Sequence, residues 1–175
     1  IASTEGRAFW IMDDLSPIRQ HADSLRTVTA HLYVPQPAIR LATSGGGGSV
    51  GPGTVGRNPA PGATLFYRLG SAPDSAMRVT LEILDGRGSL VRSFSTDTAG
   101  GIEPLEARDG LNTFAWNLRR SPPTRLANVV LFGSPSGGGA LVSPGTYQVR
   151  LTAGNTVRTQ PLEVRQDPRL DVPAT

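Results

Sequence analysis

The sequence contains no cysteine, so disulfide bonds, thiolate catalysis and cysteine-ligated zinc are excluded. It also contains no lysine, because all 17 basic residues are arginine. These arginines are spread along the chain and do not form the clustered basic stripe that a phosphate backbone requires. Nucleic acid is therefore not an expected partner, although the net charge is +3.

Long apolar runs are also missing. No run approaches the roughly 18 residues that a membrane-spanning helix needs, and no basic-then-apolar signal segment opens the chain. The sequence begins at Ile1, without methionine, in a stretch with strand-like composition. We therefore expect the chain to be a fragment or a processed product of a larger protein.

What the chain does have is 21 glycines and 15 prolines among 175 residues, which suits many short strands joined by turns. Apolar side chains alternate with polar ones in residues 78–84, 111–119 and 146–153, as in half-buried strands. Asp85–Gly88 and Gly154–Asn155 have the composition of hairpin turns. About seven strands and scarcely any helix predict an all-β fold, an immunoglobulin-like antiparallel β-sandwich.

The predicted organisation has four parts. Ala8–Met12 is a short apolar burst typical of a buried strand, whereas residues 31–41 contain two prolines and are at best an edge strand. Residues 42–62 are rich in glycine and should form a flexible loop, without the Lys-Ser/Thr ending of a phosphate-binding loop. The parts are a terminal strand region (1–20), a connecting segment (21–62), the sandwich (63–168) and a C-terminal tail (169–175).

Residues Ser3–Arg19 resemble the last propeller strand of bacterial BNR-repeat, sortilin-like proteins that are often described as glycosyl hydrolases. The family run is Thr-His-Gly-Arg, an aromatic residue, Trp, Ile/Leu and Leu-Asp-Asp, and here Glu5 replaces the histidine. Gly110–Arg119 and Pro144–Leu151 look like the immunoglobulin-like C-terminal domain that follows such propellers and occurs in flagellar-hook-cap-like modules. The resemblance implies a secreted, cell-surface or periplasmic bacterial parent, with a β-propeller upstream whose site residues lie outside this chain.

Acidic residues are the first candidates for chemistry. Asp13 and Asp14 are adjacent, so on a strand they point in opposite directions and do not form the carboxylate pair that glycoside hydrolysis needs. A turn cap or an ion pair with Arg7 or Arg19 is the simpler interpretation of the two aspartates. Calcium is a second possibility, at Asp13 and Asp14 or at a second acidic group, but neither has the spacing of a known binding loop; the second group is Asp97, Glu103, Glu106 and Asp109.

Histidines and serines give no stronger signal. His21 and His31 lie ten residues apart without a third ligand nearby. Ser24 and Ser44 lack the strand-to-helix context of a catalytic nucleophile. We therefore predict no catalytic, cofactor-binding or metal-binding residue in this chain.

Aromatic side chains were weighed as sugar-stacking platforms. Trp116 alternates with Phe114 and Leu118, which favours burial in the core. Trp10 is expected to pack within the propeller, and Tyr33 is a further candidate platform. Phe132, beside a glycine-rich loop, remains open between a core and a binding role.

The leading hypothesis is a non-catalytic, C-terminal accessory domain of a larger secreted propeller protein, which mediates packing, attachment or assembly. One alternative is a carbohydrate-binding module of a glycoside hydrolase, with carbohydrate as its partner. Another is a strand-exchanging subunit of an extracellular fibre, which associates with itself through the N-terminal strand. Glycan binding would favour the first alternative, and concentration-dependent filaments the second.

Overall fold

The computed structural model describes residues 14–41, 61–74, 77–123 and 138–170, together with the backbone of two short N-terminal strands. The protein is mostly β, which confirms the predicted class at this level. Its elements are α1 (Ser16–Arg19), two 3-10 turns (Asp23–Arg26 and Ala99–Gly101) and the strands β1 (Ala2–Ser3), β2 (Phe9–Trp10), β3 (Ala30–Leu32), β4 (Ala38–Arg40), β5 (Ala63–Leu69), β6 (Val79–Leu84), β7 (Leu90–Ser95), β8 (Glu103–Pro104), β9 (Gly110–Trp116), β10 (Gly145–Ala153) and β11 (Thr156–Gln166).

Two sheets make up the body of the fold. A curled six-stranded sheet has the order β4-β11-β10-β6-β7-β8, and a three-stranded sheet has the order β3-β5-β9. The prediction of a purely antiparallel arrangement is wrong, because β4 pairs with β11 and β8 pairs with β7 in parallel. In the second case the 3-10 turn Ala99–Gly101 helps to carry the chain back along β7, so that β8 starts in the same direction.

The inner faces of the sheets form one apolar core. On β6 the side chains of Val79, Leu81 and Ile83 are fully buried, as their alternation predicted. The register sets Leu81 opposite Leu151 and Ile83 opposite Val149 on β10. From the facing sheet, β5 contributes a second row of buried residues to this core, namely Leu65, Tyr67 and Leu69.

Residues before the predicted sandwich also enter the sheets. β3 pairs with β5 and β4 pairs with β11, so the sheets take in residues 30–40 of the predicted connecting segment. Both strands lie at sheet edges, as the two nearby prolines indicated. Leu32 and Ala38 are buried in the core, which explains why these three-residue strands are held in place.

A second, smaller core covers the outer face of the three-stranded sheet. The 3-10 turn Asp23–Arg26 lays Leu25 against Tyr33 and Phe66, with Val28 packed beside them. These apolar contacts fix the path of the chain between α1 and β3.

The N-terminal strands form a separate two-stranded pair. Ala2 lies opposite Trp10 and Ser3 opposite Phe9 in antiparallel register. β2, which lies within the predicted strand Ala8–Met12, therefore has a strand partner within the chain along one edge. The flexible loops predicted at 42–62 and around 133–139, and the undecided Phe132, lie wholly or mainly outside the described residues.

Leu118 adopts a left-handed backbone conformation (φ 56°) and is buried in the core. Such a conformation costs a residue with a side chain about 1–2 kcal/mol, whereas glycine adopts it freely. We therefore expect Leu118→Gly to be no less stable than Leu118→Ala in urea unfolding, although both lose core packing. The control is Ala115→Gly at an extended position of β9, where glycine should lower stability by about 0.5–1 kcal/mol. A clearly lower free energy of unfolding for Leu118→Gly than for Leu118→Ala would contradict the claim that the backbone is strained at this position.

Candidate functional site

A set of side-chain hydrogen bonds ties the segment after β2 to the loop between β3 and β4. The amide of Gln20 donates from Nε2 to the Val34 carbonyl oxygen (2.9 Å), and its Oε1 accepts from the Val34 backbone nitrogen (2.8 Å). Gln36 Nε2 donates to Ser16 Oγ at 2.7 Å. We call these three bonds the clamp. Because Gln20 satisfies both backbone groups of one residue, it imitates a neighbouring strand at this position.

The helix that presents the clamp is built locally. Asp14 Oδ1 accepts a hydrogen bond from the backbone nitrogen of Ser16 at 2.7 Å, which starts α1. Pro17 lies in the first turn, where its missing N–H is not needed, and both Ser16 and Pro17 are buried. Asp14 is thus a turn cap, as the sequence interpretation of the aspartate pair preferred, while Asp13 lies outside the described residues.

Apolar side chains point to solvent from the two segments that the clamp joins. Leu15 is 42% exposed and Ile18 is 60% exposed, at α1, while Val34 is 44% exposed in the loop after β3. We call these three residues the docking surface. Single exposed apolar residues are ordinary, but three on two segments that the clamp joins are a candidate contact area for another body.

A buried arginine forms a second set of polar contacts, on β7. Arg92 on β7 is in phase with Phe94, so its side chain enters between the sheets, where it is 5% exposed. Its guanidinium forms a bidentate ion pair with Glu103 on β8, at 2.7 Å (Nε to Oε1) and 2.5 Å (Nη2 to Oε2). Nη1 also donates to Asn117 Oδ1 at 2.7 Å and to the Arg119 carbonyl oxygen at 3.3 Å. We call this set the arginine network.

The arginine network also meets the chain where it returns towards β10. A side chain at Gly138 (φ 123°) would collide with Arg92 Nη1, so this position needs glycine. The Arg119 side chain donates to the Gly139 carbonyl oxygen at 3.0 Å, and Arg119 pairs with Leu141 in an antiparallel bridge. The network therefore joins β7, β8, the end of β9 and the start of the β10 region.

Two of the four acidic residues in the second group, Asp97 and Glu103, are engaged by other side chains. Asp97 pairs with Arg78, and its Oδ1 accepts from the Ala99 nitrogen. Glu103 belongs to the arginine network, and Glu106 lies beside a groove on β9. In the described ranges no three His, Asp or Glu side chains come together as metal ligands.

The groove beside β9 has a volume of about 440 Å³ and polar walls. Asn112 in its lining uses its side chain for the loop itself, donating to the carbonyl oxygens of Arg108 and Gly110 and accepting from the Arg108 nitrogen. The Gly-Leu-Asn part of the motif at 110–112 therefore serves to close this loop.

Two of the four candidate aromatic platforms, Trp116 and Tyr33, are buried. Trp116 is fully buried and donates from Nε1 to the Arg119 carbonyl oxygen at 2.9 Å, which confirms its predicted place in the core. Tyr33 belongs to the small second core, and the side chain of Trp10 lies outside the described residues. His21 and Ser24 are exposed near the 3-10 turn, and His31 lies on β3. The sequence did not point to the arginine network, although the shared phase of Arg92 and Phe94 was a usable signal.

Searches for similar family models, curated proteins and solved structures found no match. Across the part of the chain that the structure describes, none of the helices has the length and apolar character needed to cross a membrane.

Removing the clamp tests whether it orders the loop after β3. We expect Gln20→Ala to accelerate amide hydrogen exchange at Val34, because the backbone nitrogen loses its acceptor, and to lower stability by about 1 kcal/mol. Gln160→Ala is a suitable control, since it removes a glutamine bond to Leu32 and should leave the Val34 amide unchanged. Equal exchange at Val34 in wild type and Gln20→Ala would contradict the role of the clamp.

Proposed function

We propose that this chain is a non-catalytic accessory domain of a larger secreted bacterial protein. In this proposal an immunoglobulin-like β-sandwich, made of the two described sheets, packs against a β-propeller formed by preceding residues. The observation that carries the proposal is the clamp, which ties the end of the propeller-like motif to the sandwich.

The position of the clamp matters because of what precedes it. Ser3–Arg19 resembles a terminal propeller strand, and Gln20 follows it directly. A freely moving accessory domain would have a linker without fixed contacts at this point. Here the backbone groups of Val34 and the hydroxyl of Ser16 are bonded across the junction, so an upstream body would be held in one orientation.

The docking surface supplies apolar area for such a contact. Leu15 directly precedes α1 and Ile18 lies on it, and both would be covered by the neighbouring blade. The enzyme site, if the parent is a glycoside-hydrolase-like protein, would then belong to the propeller, and the sandwich would brace it and contribute to attachment or assembly.

Covalent footprinting tests this contact directly. A carbene label is applied to the 175-residue chain and to the polypeptide as its own cells produce it. We expect Leu15, Ile18 and Val34 to be labelled in the chain and strongly protected in the cellular polypeptide. Val157, which is 51% exposed on β11, is the internal control and should be labelled in both. Equal labelling of Ile18 in both samples would overturn the proposed packing.

A further inference from the structure

A second group of polar side chains lies where the edge of the three-stranded sheet meets the six-stranded sheet. His31 on β3 stands opposite Arg68 on β5 in the antiparallel register, on the face away from the main core. Gln160 Nε2 donates to the Leu32 carbonyl oxygen at 3.1 Å, which holds β11 against β3. Arg158, two residues earlier on β11, is close enough for its charge to act on His31.

Tyr33 completes this group. Its ring meets the His31 ring edge-on, with centroids 4.7 Å apart, and it lies within reach of the Arg68 charge. We call His31, Tyr33, Arg68 and Arg158 the basic seam. His31, Arg68 and Arg158 come from three different strands and are partly or fully exposed, whereas Tyr33 follows β3 and is buried beneath them. The fold, and not a sequence motif, brings the four together.

The two arginines of the basic seam have no acidic partner. Arg68 and Arg158 each donate to the carbonyl oxygen of a neighbouring residue on their own strand, at 3.3 Å. Within the described residues neither has a carboxylate partner, and the Tyr33 hydroxyl makes no hydrogen bond. Of the twelve other described arginines, six pair with an acid; these are Arg26, Arg78, Arg92, Arg150, Arg165 and Arg169.

Both strands that flank β3 place a positive charge near His31: Arg68 on β5 and Arg158 on β11. Burial, and then the Arg158 guanidinium, lower the pKa of His31 below its usual 6.5. Arg68 faces it from β5, and on the adjacent 3-10 turn Asp23 is already paired with Arg26 at 3.3 Å. An added anion would therefore meet two guanidinium groups and no neighbouring unpaired carboxylate in the described part of the surface.

We propose that the basic seam binds an oxyanion, the charged group of a carboxylate, sulfate or phosphate ligand. The planar guanidinium fork matches two oxygens of such a group, and an imidazole N–H supplies a further donor. This binding site goes beyond the proposed accessory function and does not depend on it, because the seam lies wholly within the described sheets.

Anion binding and protonation of His31 are then linked. A bound anion favours the imidazolium, so the pKa of His31 rises from its lowered value when the site is filled. The affinity for the anion therefore increases as the pH falls through the pKa of His31 in the bound state, and it levels off below the pKa of His31 in the free state. Each tenfold gain in affinity across this range corresponds to a rise of about one unit in the pKa of His31.

NMR titration of the full chain tests the site, because the sequence contains only two histidines. Acetate, sulfate and phosphate are added separately, with sodium chloride adjusted to keep the ionic strength constant. We expect a saturable shift of the His31 ring signals and a raised pKa with at least one of these anions, with tighter binding at pH 5.5 than at pH 8. His21, which is exposed, is the internal control and should change little. The anion that saturates identifies the oxyanion the seam prefers.

Two variants on the same strand separate specific binding from general charge. Arg158→Gln should weaken anion binding about tenfold, because it removes a charge-assisted donor. Arg165→Gln, whose wild-type side chain pairs with Glu163 on the other face of β11, should leave the affinity unchanged. A linear, unsaturated response of His31, the same response at His21, or equal losses in the two variants would overturn the proposal. Unchanged amide spectra in the absence of anion confirm that both variants are folded.

Discussion

Replacing Trp116 with alanine should lower the free energy of unfolding by about 3–5 kcal/mol, the usual cost of emptying a large aromatic site. The side chain is fully buried, its ring packs against Tyr147 with centroids 5.9 Å apart, and its Nε1 bonds to the Arg119 carbonyl oxygen. Gly62 lies so close to the Trp116 backbone that any side chain there would clash, so the surroundings have little freedom to collapse into the cavity. Urea unfolding followed by far-ultraviolet circular dichroism measures the change.

Trp116→Phe is the matched control for this prediction. It keeps most of the apolar volume and removes the N–H donor, so we expect a smaller loss, about 1–2 kcal/mol. If the alanine variant does not fold at all, the phenylalanine variant still gives a measurable transition. A change near zero in both would show that Trp116 is not packed as described and would reopen a ligand-stacking role.

Removing the charge of Arg92 should be the second large effect. Arg92→Met keeps the length of the side chain but leaves the Glu103 carboxylate, which is 31% exposed, without its bidentate partner. Because water still reaches this carboxylate, we expect a cost of about 1.5–3 kcal/mol, as for charge-assisted hydrogen bonds. The loss also affects Asn117 and the Arg119 carbonyl oxygen, which would keep fewer hydrogen-bond partners. Urea unfolding at pH 7 gives the free energy, and hydrogen exchange should show the strongest loss of protection at β8.

A double-variant cycle distinguishes this explanation from a simple loss of packing. In Arg92→Met/Glu103→Gln the unpaired carboxylate is gone, so the double variant should recover part of the stability lost in Arg92→Met. Arg165→Gln, at an exposed ion pair, is the surface control and should have no measurable effect. Strictly additive effects of the two substitutions at positions 92 and 103 would contradict a direct ion pair.

The strands of the main core were predictable because their apolar and polar residues alternate with a period of two. Val79, Leu81 and Ile83 alternate with polar residues, and burying one face of a strand requires that pattern. The turns at Asp85–Gly88 and Gly154–Asn155 were predictable for a similar reason, since their residues favour tight hairpins. Trp116 followed from its phase with its neighbours.

The edge strands and the candidate surfaces were not predictable in the same way. β3 and β4 are three residues long, and what fixes them is pairing with residues far along the chain, such as Leu32 opposite Tyr67. The parallel pairing of β8 depends on the path of residues 96–102, which no local pattern specifies. The clamp and the basic seam likewise bring together side chains from distant segments, for example His31 and Arg158, so only the fold makes them visible.

The mass of the polypeptide that carries this sequence in its own cells is the most direct test of the central claim. An antibody raised against the sandwich would isolate it from the extracellular, surface and periplasmic fractions for intact-mass measurement. The account predicts a polypeptide several times heavier than the 18.4 kDa of this chain, with propeller-like sequence preceding Ile1 and located outside the cytosol. A mature cellular protein with the mass of this chain alone, or one found only in the cytosol, would contradict an accessory domain packed on a secreted propeller.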